Sequence, residues 1–395
     1  MHIWKFGLAV GLLLGLAATL VACATAQKDP VTTTQGAAPS PITAVPATTE
    51  PPVSYEEQVL EVAEHLDDIF DPLGRTYVNS EGQFQMDFAC SGIRFAAECE
   101  GDVRIEINTH RTVRFTVYID GVRSNMEPVL TDAKGLSVRI ARDLPRGYHE
   151  FCIVDATQFI WGNASFGSVT VQGSFLPKPD QRELFLEFYG DSILNGSNVR
   201  MGGSSVQNSD STQAFGWLTA EKLNADMSLV GCGGIGLTKN KRSFWMKDII
   251  EYCGAQYSLP TNSPDGHLLP GIPKYSFERI PDAVIIEQGV NDGSNATQPI
   301  FRTELTNMIH LLREKYGTEV PIVLLTGYTA GKYYNSSIPT IVADLGGESA
   351  GLYICKLSNA SATTAMGGDG THPNIETSER MATELAAFLE KLLAK

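Results

Sequence analysis

The sequence predicts two folded parts in tandem: an N-terminal all-β sandwich of jelly-roll type, then a C-terminal three-layer α/β domain on a parallel sheet. Three observations carry this. Between about 76 and 177 apolar residues recur at period two, in short runs split by turn residues. After 182, short apolar runs alternate with stretches of helical period, the mark of repeated βα units. A chain of 395 residues also leaves room for two domains that each bury a core.

Ahead of the folded parts, Lys5 and the apolar run over 6–20 read as an export signal within 1–23. The run is short for a spanning helix and has no charged stop behind it. It ends in Leu20-Val21-Ala22-Cys23, which resembles a bacterial lipobox, with Cys23 as the residue that carries lipid. The expected location is therefore extracytoplasmic and lipid-anchored to a membrane. Residues 24–54 are rich in Thr, Pro and Ala without periodicity, which predicts a disordered tether. Such a tether holds the next domain on the order of 30 Å or more from its anchor. Ser54-Tyr55-Glu56-Glu57 reads as a capping box. Tyr55, Val59, Val62, Ala63, Leu66, Ile69 and Phe70 follow at helical spacing until Pro72 and Gly74, so a helix over 55–75 is expected to pack on the folded part.

Within the sandwich domain, 76–177, the period-two runs at 103–107, 113–119, 136–140, 148–154 and 168–175 read as strands. Asp120-Gly121 and Arg146-Gly147 read as turns between them. Leu176-Pro177-Lys178-Pro179-Asp180 is a stiff connector into the second domain, 178–395. There, strands are expected at 184–189, 227–232, 283–287, 322–326 and 352–357, and helices near 212–224, 299–316, 338–345 and 375–394.

Thirty Lys and Arg against 45 Asp and Glu leave a net charge of −15, which argues against nucleic acid as a partner. Besides Cys23 there are six cysteines: Cys90, Cys99, Cys152, Cys232, Cys253 and Cys355. An exported protein permits disulfides, but spacing selects no pairing. No CxxC pair is present and the seven histidines form no cluster, so neither a protein metal site nor a cofactor is expected.

The first α/β strand runs into Gly190-Asp191-Ser192-Ile193, which places a hydroxyl at a strand end. Alone the motif is also an ordinary turn. Behind the second strand comes Gly231-Cys232-Gly233-Gly234-Ile235-Gly236-Leu237, without the spacing of a dinucleotide fingerprint. Behind the third comes Gly289-Val290-Asn291-Asp292, and behind the last Asp369-Gly370-Thr371-His372-Pro373-Asn374. Each has a plain reading as a polar loop; their order, each behind a strand, is far more specific.

In that order the chain resembles the SGNH (GDSL-type) hydrolase superfamily, through Ser192, the glycine run, Asn291 and His372. With the sandwich ahead of it, the Pro-containing connector, and Phe215-Gly216-Trp217 through Leu223-Asn224-Ala225-Asp226, it is similar to carbohydrate esterase family two. The resemblance implies a flavodoxin-like second domain and a Ser192 nucleophile. It implies His372 as base and then acid, and Asp369 as the group that orients it. The oxyanion donors implied are the N–H groups of Ser192 and Gly234, with Gly236 as fallback, and the Asn291 amide. Asp191 and Asp292 are expected to cap helices. Among the aromatics behind strand ends (Phe244, Trp245, Tyr328, Tyr333, Tyr334), Trp245 and Tyr328 are the candidate sugar contacts.

What the resemblance implies in function is a serine esterase that removes O-acetyl groups from xylan- or glucomannan-type polysaccharide. One alternative is the same hydrolase acting on lipid or aryl esters. The other is a non-catalytic carbohydrate-binding surface lipoprotein.

Overall fold

A computed structural model describes residues 55–394, apart from 204, 239–242, 259–266, 330–331 and 359–370. The export segment, Cys23, the tether and Asp369 lie outside the described residues.

The N-terminal lobe is all-β. Its strands are β1 (Glu57–Glu61), β2 (Asp71–Leu73), β3 (Thr76–Val78), β4 (Phe84–Met86), β5 (Gly92–Ile119), β6 (Val122–Arg123), β7 (Val129–Thr131), β8 (Leu136–Asp155) and β9 (Gly162–Phe175). Every pairing is antiparallel. β5 is 28 residues long and pairs with both β8 and β9, with register shifts near Gly101 and Val103 that let it bend around the core. The separate strands expected at 103–107 and 113–119 are therefore parts of one bent strand, and 136–140 and 148–154 are both parts of β8. Asp120 and Gly121 do make the turn from β5 to β6, both at positive φ. Arg146-Gly147 is not a turn but lies within β8, where the register shift accommodates it.

The helix expected over 55–75 is replaced by β1, a single 3-10 turn at Val62–Glu64, and β2. β1 pairs with β9 from Glu57↔Gln172 to Glu61↔Ser168. The open edge of β9 offers a row of backbone partners, and pairing there outweighs a local helical period. Some of its apolar residues still go inward: Val62 and Phe70 are fully buried in a core with Phe84, Phe95, Phe115, Phe151 and Phe166, whereas Val59 on β1 is exposed.

The C-terminal lobe carries β10 (Leu184–Gly190), α1 (Phe215–Lys222), β11 (Ala225–Gly231), α2 (Met246–Ile249), β12 (Tyr257–Ser258) and β13 (His267–Leu268). It continues with β14 (Ala283–Ile286), α3 (Pro299–Tyr316), β15 (Ile322–Thr326), α4 (Tyr334–Asp344), β16 (Leu352–Lys356) and α5 (Ile375–Leu393). Five strands form one parallel sheet in the order β11-β10-β14-β15-β16. Numbered within this domain, that is the doubly wound order 2-1-3-4-5, whose switch point lies between β10 and β14 at their carboxyl ends. Ser192 and Asn291 follow those two strands.

The lobes form one body. Leu73, Phe88, Tyr118 and Phe159 of the sandwich pack in the same core as Phe188, Trp217 and Phe244 of the α/β lobe. Arg75, from the β2–β3 connection, is buried against β10. Its Nη2 donates to Glu187 Oε1 and to the Tyr189 hydroxyl, each at 2.8 Å, and its Nη1 donates to the Ile250 carbonyl at 2.6 Å. On another side, Arg123 binds Asp210, Arg200 binds Glu127, and Arg114 donates to the Gln207 carbonyl at 2.9 Å. These contacts tie the 195–213 loop to the sandwich.

Candidate active site

β10 is buried along its length and stops at Gly190, where an added Cβ would lie 2.7 Å from a Glu287 oxygen. Beyond it the chain makes tight turns rather than the helix expected there. Asp191 Oδ1 accepts the Ile193 N–H at 2.9 Å, and the Asp191 carbonyl accepts the Asn195 N–H at 3.1 Å. This hooks Ser192 out over the sheet end, 9% exposed. His372 comes from the other end of the domain. Asn374 accepts the Thr377 N–H at 2.9 Å and so caps α5, fixing where the residues ahead of that helix emerge. His372 Nε2 then lies 2.8 Å from Ser192 Oγ, a hydrogen bond across 180 residues of sequence.

Behind the serine lies a buried carboxyl pair. Glu287 Oε2 accepts the Asp191 N–H at 2.9 Å. Burial raises the pKa of both carboxyls, and the charge of Asp191 adds to the rise at Glu287. Asp191 also lies within Coulombic reach of His372. Asp191 Oδ2 accepts from Asn291 Nδ2 at 2.7 Å, and the same nitrogen donates to the Ile235 carbonyl at 3.0 Å. In this state both amide hydrogens of Asn291 are engaged by the protein.

The glycine run turns at 232–235, where Ile235 N–H bonds the Cys232 carbonyl at 3.2 Å and Gly234 sits at φ +81°. Asp292 holds the far end of the run. Its Oδ1 accepts the Thr238 N–H at 2.7 Å and the Thr238 hydroxyl at 2.6 Å. It makes no cap to its own 3-10 turn, so the expected helix cap is instead a cross-loop tie.

The candidate sugar contacts separate. Tyr328 is 1% exposed, stacks on Tyr334 with centroids 4.9 Å apart, and interacts with Glu287. It is core beneath the site and offers no open face, which corrects the expectation for it. Phe244 and Tyr334 are buried likewise, whereas Tyr333 is exposed. Trp245 is half-buried at the start of α2, with Lys247 Nζ 4.2 Å from its ring centre. The six described cysteines are free thiols. Among the described residues no group of three His, Cys, Asp or Glu is arranged to hold a metal.

Glu287 and Gln158 were missed by sequence reasoning. Glu287 reads as the last residue of a strand. Gln158 sits in an ordinary-looking loop of the other lobe, and no local pattern distinguishes it.

Residues 73–179 match the family model for the carbohydrate esterase 2 N-terminal region, and residues 186–385 match that for GDSL-like lipase/acylhydrolase. The chain belongs to the GDSL-like lipase/acylhydrolase family. It is accordingly a carboxylic ester hydrolase, and its GDSL-type block is Gly190-Asp191-Ser192-Ile193. An acetylxylan esterase / glucomannan deacetylase of Cellvibrio japonicus is 22% identical over 333 residues, covering 81% of this chain and 88% of that one. A family two carbohydrate esterase from Clostridium thermocellum, solved with cellohexaose, superposes at TM-score 0.71 and 22% identity. The match covers 82% of this chain and 99% of that one. A family two esterase structure from Cellvibrio japonicus gives TM-score 0.72 at 18% identity, covering 86% and 98%. Both superpose over nearly their whole length, so they share the two-lobe course of this chain.

Proposed function

We propose that this GDSL-family hydrolase is a serine esterase that removes O-acetyl groups from plant cell-wall polysaccharide of the xylan or glucomannan type. The observation that carries the chemistry is the 2.8 Å bond between His372 Nε2 and Ser192 Oγ at the sheet's switch point. The acetylated-sugar substrate is supported by the esterase-type N-terminal region and by the relatives named above, one solved with a cello-oligosaccharide.

In this reading His372 takes the Ser192 proton as Oγ attacks the acetyl carbonyl carbon. The oxyanion is met by the N–H of Ser192, the N–H of Gly234 and the Asn291 amide. Asn291 exchanges its bond to Ile235 for one to the oxyanion and keeps its bond to Asp191. Collapse breaks the bond to the sugar oxygen, which leaves with the proton from His372. Water then attacks acetyl-Ser192, giving its proton to His372; acetate departs and Ser192 recovers its proton. Asp369 is assigned to hold the imidazole. Trp245 is the remaining aromatic candidate for a sugar contact. Cys23 is assigned as a lipid anchor, which places the enzyme outside the cytoplasm on a membrane.

The test is release of acetate from acetylated xylan and glucomannan. Ser192→Ala is expected to lower the rate by about 10⁴-fold or more, since the nucleophile and base act as a unit. Preference for octanoyl over acetyl esters would transfer the enzyme to the lipid-ester class; an undiminished rate in Ser192→Ala would remove catalysis from this site.

A further inference from the structure

The β8–β9 loop of the sandwich reaches between the Ser192 segment and the glycine run. On it, Gln158 is 3% exposed. Its Oε1 accepts the Gly233 N–H, and its Nε2 donates to Ser197 Oγ at 3.1 Å. Ser197 in turn donates its backbone N–H to the Ser192 carbonyl at 2.9 Å. One side chain of the N-terminal lobe thus touches both loops that bear the proposed oxyanion donors. The loop holding it is itself braced. Thr157 N–H bonds Asp155 Oδ1 at 2.7 Å, Thr157 Oγ1 accepts the Arg114 N–H at 2.7 Å, and Phe159 packs between Phe88 and Phe244.

The turn at 232–235 has the type II form, with Gly234 at φ +81° in its third position. Two successive glycines leave this turn with no side chain of its own to fix where it sits, so its placement against the Ser192 segment depends on contacts from outside the turn. Gln158 is packed closely enough that a Cβ on Gly233 would meet its Oε1 at 3.0 Å.

We propose that Gln158 is a positioning residue: by binding Gly233 and Ser197 together it holds the glycine turn at a fixed place against the Ser192 segment, so that the N–H groups of Gly234 and Ser192 converge on one oxyanion. The N-terminal lobe thereby completes a catalytic site whose reacting groups all belong to the other lobe. The inference rests on the roles given above to Ser192 and Gly234.

Gln158→Met keeps the side-chain length and removes both polar atoms. With 4-nitrophenyl acetate, kcat is expected to fall about 10- to 100-fold while KM stays within about twofold, the pattern of an interaction lost in the transition state. Inhibition by a boronic acid, which forms a tetrahedral adduct on the serine, should weaken by the same factor as kcat/KM. An unchanged kcat overturns the proposal, as does a loss of kcat without matching loss of boronate affinity. Should Gln158→Met not fold, Ser197→Ala, which frees the Gln158 amide to rotate, is read the same way. A several-fold parallel loss is then expected, and no loss overturns the proposal. Ser192→Ala run alongside separates the two readings. If it stays active, the roles of Ser192 and Gly234 fail; if it is dead beside a fully active Gln158→Met, only the role of Gln158 fails.

Discussion

Asn291 is the residue whose observed bonds and assigned role differ most. Its amide nitrogen faces Asp191 and Ile235, so it must give up one partner when an oxyanion forms. That exchange suits a group that stabilises the transition state more than the ground state. Asn291→Ala is expected to lower kcat about 10²- to 10³-fold with a much smaller change in KM, measured on 4-nitrophenyl acetate. A kcat within a factor of two of the parent, on the same scale, would leave Asn291 with only its structural bond to Asp191. The position of Asn291, Ser192 and His372 was legible in the sequence because each stands beside a glycine, aspartate or proline that marks a strand or helix end. Tyr328 was misread for the same reason: it too follows a strand, but whether a ring faces solvent or core depends on what packs over it, here Tyr334 and Glu287.

At the scale of elements, the β2–β3 connection does more than join two short strands, because it inserts Arg75 beneath β10. Glu187 Oε2 also accepts from the Tyr189 and Tyr316 hydroxyls, at 2.7 and 2.6 Å, so the buried pair sits in a nearly complete set of partners. The nearby Tyr189 and Glu187 raise the pKa of Arg75 against the opposing effect of burial, so the guanidinium stays charged. Arg75→Met leaves Glu187 buried without its counter-charge and is expected to cost about 3–5 kcal/mol. Arg75→Met combined with Glu187→Leu should recover part of that loss. Urea unfolding of the two variants measures this; a single variant as stable as the parent would show that the pair contributes little. The 55–75 segment makes a related point. Its helical spacing was real, but a period read from one chain cannot register the unpaired edge of β9 more than a hundred residues away.

For the whole molecule, two lobes share one core and one site, and the proposed anchor lies at the far end of a Thr- and Pro-rich stretch. If Cys23 carries lipid, the parent protein should incorporate labelled palmitate and sediment with membranes. Cys23→Ala should instead appear in the soluble extracytoplasmic fraction with its esterase activity intact. A parent protein that takes up no label would remove the anchor. The alternation of apolar residues determined that a β lobe precedes a parallel α/β lobe, and the blocks behind the strands determined which residues meet. Both are local: periodicity and turn chemistry act over a few neighbouring residues. Only the tertiary structure decided that β1 completes the sandwich, that Arg75 and Gln158 cross between lobes, that Glu287 stands beneath the serine, and that Tyr328 is core. Those outcomes depend on which surfaces are left unpaired when distant segments pack, and on where burial makes a single hydrogen bond or charge costly to lose.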